Sequence, residues 1–160
     1  MAAINVFLEG FLLSYVGPTL LGFRPCAKKV LLGGIVTGGA GFFFRSLADL
    51  HYIPLGAHTL LGVLVLTLVL RFALPAPWGI ASAASLLSFT LLLLTGTLTV
   101  FGAVLILGLD LKEILADPPR RFLVALLEDL PLGMLALLCW SRGFRLFRIE
   151  TGDQDVSERL

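Results

Sequence analysis

Charged residues are scarce in this chain, so those inside apolar stretches are the first candidates for chemistry. Glu128 and Asp129 sit side by side within FLVALLEDLPLGMLALLCW, with Pro131 two residues on. Glu9 lies early in the first apolar run, Arg45 ends the second, His51 and Tyr52 follow it, and His58 opens the third. An acid excess of this kind favours a cation, or a ligand bearing amine or hydroxyl donors, while one guanidinium can neutralise one carboxylate. Catalysis asks for more: a nucleophile with its base, or a metal set. No Ser–His, Cys–His or HExxH arrangement is present, and Cys26 and Cys139 lie far apart without CxxC spacing. The cysteines read as small apolar fillers, and the two histidines as loop or interface groups rather than metal ligands. No enzyme, catalytic residue, metal or cofactor is expected.

The elements that must position these residues are membrane spans. Of the 160 residues, 58% are hydrophobic and 14% charged, and the mean hydropathy is +0.97, beyond what a soluble domain carries. A net charge of +1 leaves no footprint for nucleic acid. A bilayer takes about 20 apolar residues per helix, and the pattern predicts an all-α bundle with spans near residues 4–22, 30–44, 56–71 and 122–140. Pro75 and Pro77 break the chain after the third, and Trp78 sits where interfacial aromatics sit. Residues 78–109 form an uncharged run of 32, too long for one upright helix. The run is either one long tilted helix or a hairpin turning at Thr95–Thr97.

Charge placement arbitrates. With five spans, Arg24, Lys28, Lys29, Arg71, Arg142, Arg145 and Arg148 share one side. Arg45, Lys112, Arg120 and Arg121 share the other with Asp49, Asp110, Glu113 and Asp117. Seven basic residues against four put the C-terminus in the cytoplasm and the N-terminus outside. A six-span threading moves the RGFRLFR cluster to the acidic side and fits worse. The N-terminal run lacks a positive n-region and a clear cleavage site, so it is expected to stay as a span. The expected organisation is a single transmembrane domain over 1–148 and a short polar cytoplasmic tail over 149–160.

In this threading Glu9, Arg45, His58, Glu128 and Asp129 all map to the outer half of the bilayer. The paired acids lie about seven residues, or about 10 Å, into the last span. An unpaired ionised group at such depth costs several kcal/mol, which makes each a functional hypothesis by default. Two readings stay open. Arg45 staples Glu9 or one of the acids, a structural role, or the group lines a hydrated outer pocket. Adjacent helical residues point about 100° apart, so Glu128 and Asp129 do not both face one narrow site.

GGIVTGGAGFFFR lacks the strand, lysine and helix context of a phosphate loop. Gly34 and Gly38 instead have small-xxx-small spacing for close helix packing, with Gly33, Thr37 and Gly41 on a neighbouring face. Arg71 snorkels to headgroups. GLDLKEILADPPRRF reads as a short interfacial amphipathic helix, with Asp110 and Glu113 in a capping-box position, an apolar stripe of Leu111, Ile114 and Leu115, and Pro118–Pro119 as its end. It is an ordinary connector or a lid over the outer pocket.

FLEGFLLSY, IPLGAHTLLG and LDLKEILADP, in this hydropathy order over residues 4–145, resemble the membrane-embedded sensory regions of Gram-positive histidine kinases of the sporulation and quorum-sensing type. No phosphoacceptor histidine region or ATPase domain lies within these residues, so kinase activity does not carry over. The resemblance implies a ligand-sensing bundle in a bacterial cell membrane, with an outward-facing polar pocket. A small-molecule or peptide ligand, the lipid bilayer, and a partner membrane protein or a second copy would be its partners. The alternative is a small transporter or the substrate-binding subunit of one, with Pro18, Pro131 and the Thr95–Thr97 segment supplying helix breaks.

Overall fold

The computed structural model describes residues 2–23, 25–50, 57–73, 76–108 and 118–143. Among these there are five helices and no strand: α1 (Ala2–Leu20), α2 (Ala27–Asp49), α3 (Ala57–Ala73), α4 (Trp78–Leu107) and α5 (Pro118–Arg142). His51 and Tyr52, the amphipathic connector of Asp110 and Glu113, and the tail 149–160 lie outside the described residues. Three helices are long and apolar enough to cross a membrane: Ala27–Ala48, Trp78–Leu105 and Phe122–Arg142. The apolar parts of the other two, Ile4–Leu20 and Ala57–Ala73, are shorter. At about 1.5 Å per residue these reach about 25 Å, at the lower limit for a span and below the length of the other three.

α1 is the hub. It packs against the other four helices, while α2, α3, α4 and α5 follow one another around it. Its buried stripe, Leu13, Val16 and Leu20, recurs at helical spacing and meets Leu66 and Leu70 of α3, Ala81, Ala84 and Phe89 of α4, and Leu132 of α5. Side chains facing away are large and apolar, among them Leu94, Leu98, Phe101 and Leu105 on α4 and Leu130, Met134 and Leu137 on α5. An apolar exterior this continuous, on helices of this length, fits a lipid environment. This is an all-helical membrane protein.

Small residues set the helix spacing. A Cβ on Gly10 would stand 2.6 Å from the Gly38 nitrogen and 2.7 Å from the Gly34 oxygen, and one on Gly38 would stand 2.9 Å from the Phe7 Cα. The backbones of α1 and α2 therefore touch, as the spacing of Gly34 and Gly38 leads one to expect, with the Phe11 ring seated over Gly34. On the neighbouring face Gly33 meets Ser14 and Val69, and Gly41 meets Val6. Gly17 lies against Ala84 and Ser88 of α4. Hydroxyls bind the helices further: Ser88 Oγ donates to the Leu13 carbonyl at 3.0 Å and Ser85 Oγ to the Val63 carbonyl at 2.7 Å.

The helix ends correct several expectations. α4 is one unbroken helix of 30 residues, so the hairpin does not form. Thr95 and Thr97 donate instead to the Leu92 and Leu93 carbonyls of the same helix, and Gly108, at φ 61°, ends it in a left-handed cap. α1 and α5 likewise run through Pro18 and Pro131, so neither proline is the break the transport reading drew on. Each removes one backbone donor, to the Ser14 and Leu127 carbonyls respectively, which a packed membrane helix tolerates. Pro118 and Pro119 open α5, four residues before the expected start of the span. Their missing N–H groups match donors that a first turn leaves unpaired anyway. α1 ends in a Schellman turn, in which the Gly22 N–H reaches the Thr19 carbonyl and the Phe23 N–H the Pro18 carbonyl, both at 3.0 Å, with Gly22 at φ 92°. At the α3–α4 corner the Arg71 guanidinium lies 5.6 Å from the centre of the Trp78 ring. Cys26, expected as an apolar filler, is exposed at the N-cap of α2, whereas Cys139 is buried.

The packing leads to a paired test. Gly10→Ala and Gly38→Ala should each lower stability by about 1–3 kcal/mol through overpacking. Gly39→Ala, on the same helix but with nothing within 4 Å of the added carbon, should be neutral or slightly stabilising. Thermal denaturation in detergent measures both, and equal losses at all three sites would refute the backbone contact.

Candidate functional site

The antiparallel contact of α1 and α2 brings a carboxylate and a guanidinium together. Side chains on a helix lean toward its N-terminus. Glu9 therefore leans toward the start of α1, where α2 ends, while Arg45 leans back toward the middle of α2. The two meet, although the glycine contact by itself would place Arg45 nearer the first turn of α1. Arg45 Nη2 donates to Glu9 Oε1 at 2.8 Å and to Oε2 at 2.7 Å, one nitrogen bridging both oxygens. The pair is asymmetric in exposure: the Arg45 side chain is 42% exposed and that of Glu9 10%.

α5 brings the other two acids to the same place. Asp129 is 4% exposed. Glu128 is half-buried and packs beside Gly96 of α4, where an added Cβ would stand 3.8 Å from its carboxyl carbon. Both acids lie within electrostatic reach of Glu9 and Arg45. The separate orientations expected of adjacent helical residues are observed, Glu128 toward α4 and Asp129 into the interior. The helix begins at Pro118 but its apolar span begins at Phe122, so Asp129 stands about 10 Å into the span, as counted from the sequence.

Three carboxylates thus lie in one region of the bundle with one guanidinium, which is in contact with Glu9. The imbalance leaves buried acceptors: Asp129 Oδ2 has no hydrogen-bond partner, and neither does Asn5 Oδ1, one turn before Glu9 on the same face of α1. Asn5 is a polar residue the sequence reading missed. Its i, i+4 spacing to Glu9 was the signal, overlooked because asparagine carries no charge. The hydroxyls of Ser14 and Thr37 are also buried without partners.

Of the five expected site residues, Glu9 and Arg45 are in contact, and Glu128 and Asp129 lie within electrostatic range of both. His58, in the first turn of α3, is half-buried with Nδ1 unpartnered, and no described hydrogen bond or ion pair joins it to the others. Among the described residues no group of His, Cys, Asp and Glu side chains is arranged to hold a metal ion. The site is a closed contact rather than a cup, with Arg45 as its exposed edge. A groove of about 840 Å³ lies elsewhere, lined by none of the four. Compared with protein-family models, curated proteins and solved structures, the chain gives no match.

Charge balance makes the arrangement testable. Arg45→Leu leaves three acids without a counter-charge and should cost more than Glu9→Gln. The coupling between the two positions in a double-mutant cycle should be about 1–3 kcal/mol, less than a fully buried pair because Arg45 is half-exposed. Asp129→Asn should restore part of the stability lost in Arg45→Leu. Additive effects of Arg45→Leu and Asp129→Asn, measured by thermal denaturation, would show that Asp129 does not feel the guanidinium.

Proposed function

We propose that this chain is a small multi-pass protein of the cell membrane that binds a ligand through its carboxylate cluster and acts as a sensory module through a partner, with no enzymatic step of its own. One observation carries the reading: a buried excess of acid over base, in which Asp129 Oδ2 faces the interior unpartnered. Such a group is costly unless a cation, an amine or a hydroxyl donor completes it. The half-exposed Arg45 is the edge through which a ligand would enter, and exchanging Arg45 for a cationic ligand group as the partner of Glu9 is a two-state event of the sort sensing needs.

The proposal includes the threading: five spans, N-terminus outside, C-terminus in the cytoplasm, and the cluster in the outer half. It rests on the seven-to-four basic bias. It also rests on the 17-residue apolar lengths of α1 and α3, which stand at the lower limit of about 17 residues for a spanning helix. Both short helices pack along longer ones, and a bilayer thins around a short span at modest cost. Reporter fusions at Leu160 should read cytoplasmic, and an external reading would overturn the threading and the outward pocket with it.

The second reading, a small transporter or its substrate-binding subunit, draws on the same acids. The unbroken course of α1 and α5 through Pro18 and Pro131 favours sensing over it. Ligand occupancy is expected to raise the melting temperature. Titrating the detergent-purified protein with sodium chloride and with n-butylammonium should raise the melting temperature of the wild type, and Asp129→Asn should abolish the rise while still folding. If neither cation shifts the melt, and Glu128→Gln and Asp129→Asn destabilise as much as Arg45→Leu, the cluster is a structural staple. Flux of the same cation in proteoliposomes would move the assignment to transport.

A further inference from the structure

The bundle is not closed all the way round. α2 and α5 both pack on α1 but hardly touch one another. Between the first turns of α2 and the last turns of α5 the gap widens into a groove of about 840 Å³, within the range of about 300–1,000 Å³ in which small-molecule sites fall. Phe11 and Tyr15 of α1 form its floor, Ala27 and Leu31 of α2 one wall, and Trp140 and Arg142 of α5 the other. It lies at the opposite end of the bundle from Glu9 and Arg45.

Among the described residues, the charge beside it is basic. Arg142 lines the groove, and Lys28, exposed and next in sequence to the lining Ala27, has a side chain long enough to reach toward it. The first turn of α2 has no side-chain cap, so its free N–H groups add positive potential there. Asp129, the nearest described acid on α5, is about 20 Å away along the helix. Aromatic and aliphatic walls under a basic rim match a molecule with a long apolar body and an anionic head. Trp140, 76% exposed beside the rim, is the residue type that sits at headgroup level. A second copy of this chain matches less well: the acids whose side chains are described, Glu9, Glu128 and Asp129, are buried or half-buried and offer the rim no exposed carboxylate.

We propose that this groove is a binding site for an anionic phospholipid, whose acyl chain lies over Phe11 and Tyr15 between α2 and α5 and whose phosphate is held by Arg142 and Lys28. The site is independent of the carboxylate cluster and of the threading.

Native mass spectrometry of the full chain, released from detergent after equilibration with phosphatidylglycerol or phosphatidylcholine, tests it. Phosphatidylglycerol should be retained in preference. The double variant Lys28→Gln/Arg142→Gln should weaken its binding about thirtyfold, taking each basic side chain as about fivefold. Ala27→Trp, which fills the groove and leaves both charges in place, should displace the lipid as well. Equal retention of the two lipids by the wild type would overturn the proposal, as would undiminished phosphatidylglycerol binding by either variant. A lipid-free dimer broken by Ala27→Trp would overturn it too, assigning the groove to a second copy. Should Ala27→Trp fail to fold, the double variant decides alone, since both of its positions are exposed.

Discussion

A carboxylate carried into an apolar bundle has to be met by positive charge where it sits, and the meeting of Glu9 with Arg45 organises much of this molecule. The pair joins the first two helices near one end, and it forms because antiparallel helices lean their side chains toward each other there. Reaching across requires the helix axes to be close. Gly10, Gly34 and Gly38 provide that closeness by removing the side chains that would hold the backbones apart. With α1 drawn against α2, its opposite faces are left for α4 and α5, and it becomes the one helix that contacts all the rest. The ion pair is weak evidence for stability as such, since desolvation offsets much of the attraction. Its structural effect is to fix register: a one-turn slip of α2 along α1, about 5.4 Å, would break both hydrogen bonds and collide the glycine contact.

Asp129 adds the complication. One guanidinium balances one carboxylate, and Glu9 already holds it at 2.7 Å and 2.8 Å. A protein selected only for stability would gain by replacing Asp129 with an apolar residue of similar volume, because an unpaired buried acceptor costs about 1–3 kcal/mol. Asn5 and Asp129 each retain such an acceptor, on two helices that pack against one another. Local rules broken on neighbouring helices are a pattern expected of a site rather than of a core.

Much of this was legible in the sequence. The all-helical membrane class follows from composition, and four of the five elements fall within a few residues of their expected bounds because apolar runs end at charges or prolines. The glycine contact could be read from spacing alone, since only small residues allow it. The ion pair was legible as one of two alternatives, because depth can be counted along a helix but its rotation cannot. The limits were also physical. Pro18 and Pro131 look like breaks to a rule calibrated on soluble helices, whereas tertiary packing carries α1 and α5 through them. Prolines 118 and 119 mark a boundary without saying which side of it is helical. Asn5 carried no charge to draw the eye, and the groove between α2 and α5 arises from two helices failing to pack, which no local pattern records.

The same three helices build both ends of the molecule. α1, α2 and α5 supply Glu9, Arg45 and Asp129 at one end and the floor and walls of the groove at the other. α3 and α4 contribute packing, and through Gly96 a seat for Glu128. α2 and α5 are joined through α1 and hardly to each other, so an ion pair spans the packing at one end while the groove opens at the other, where no contact between the two helices closes it.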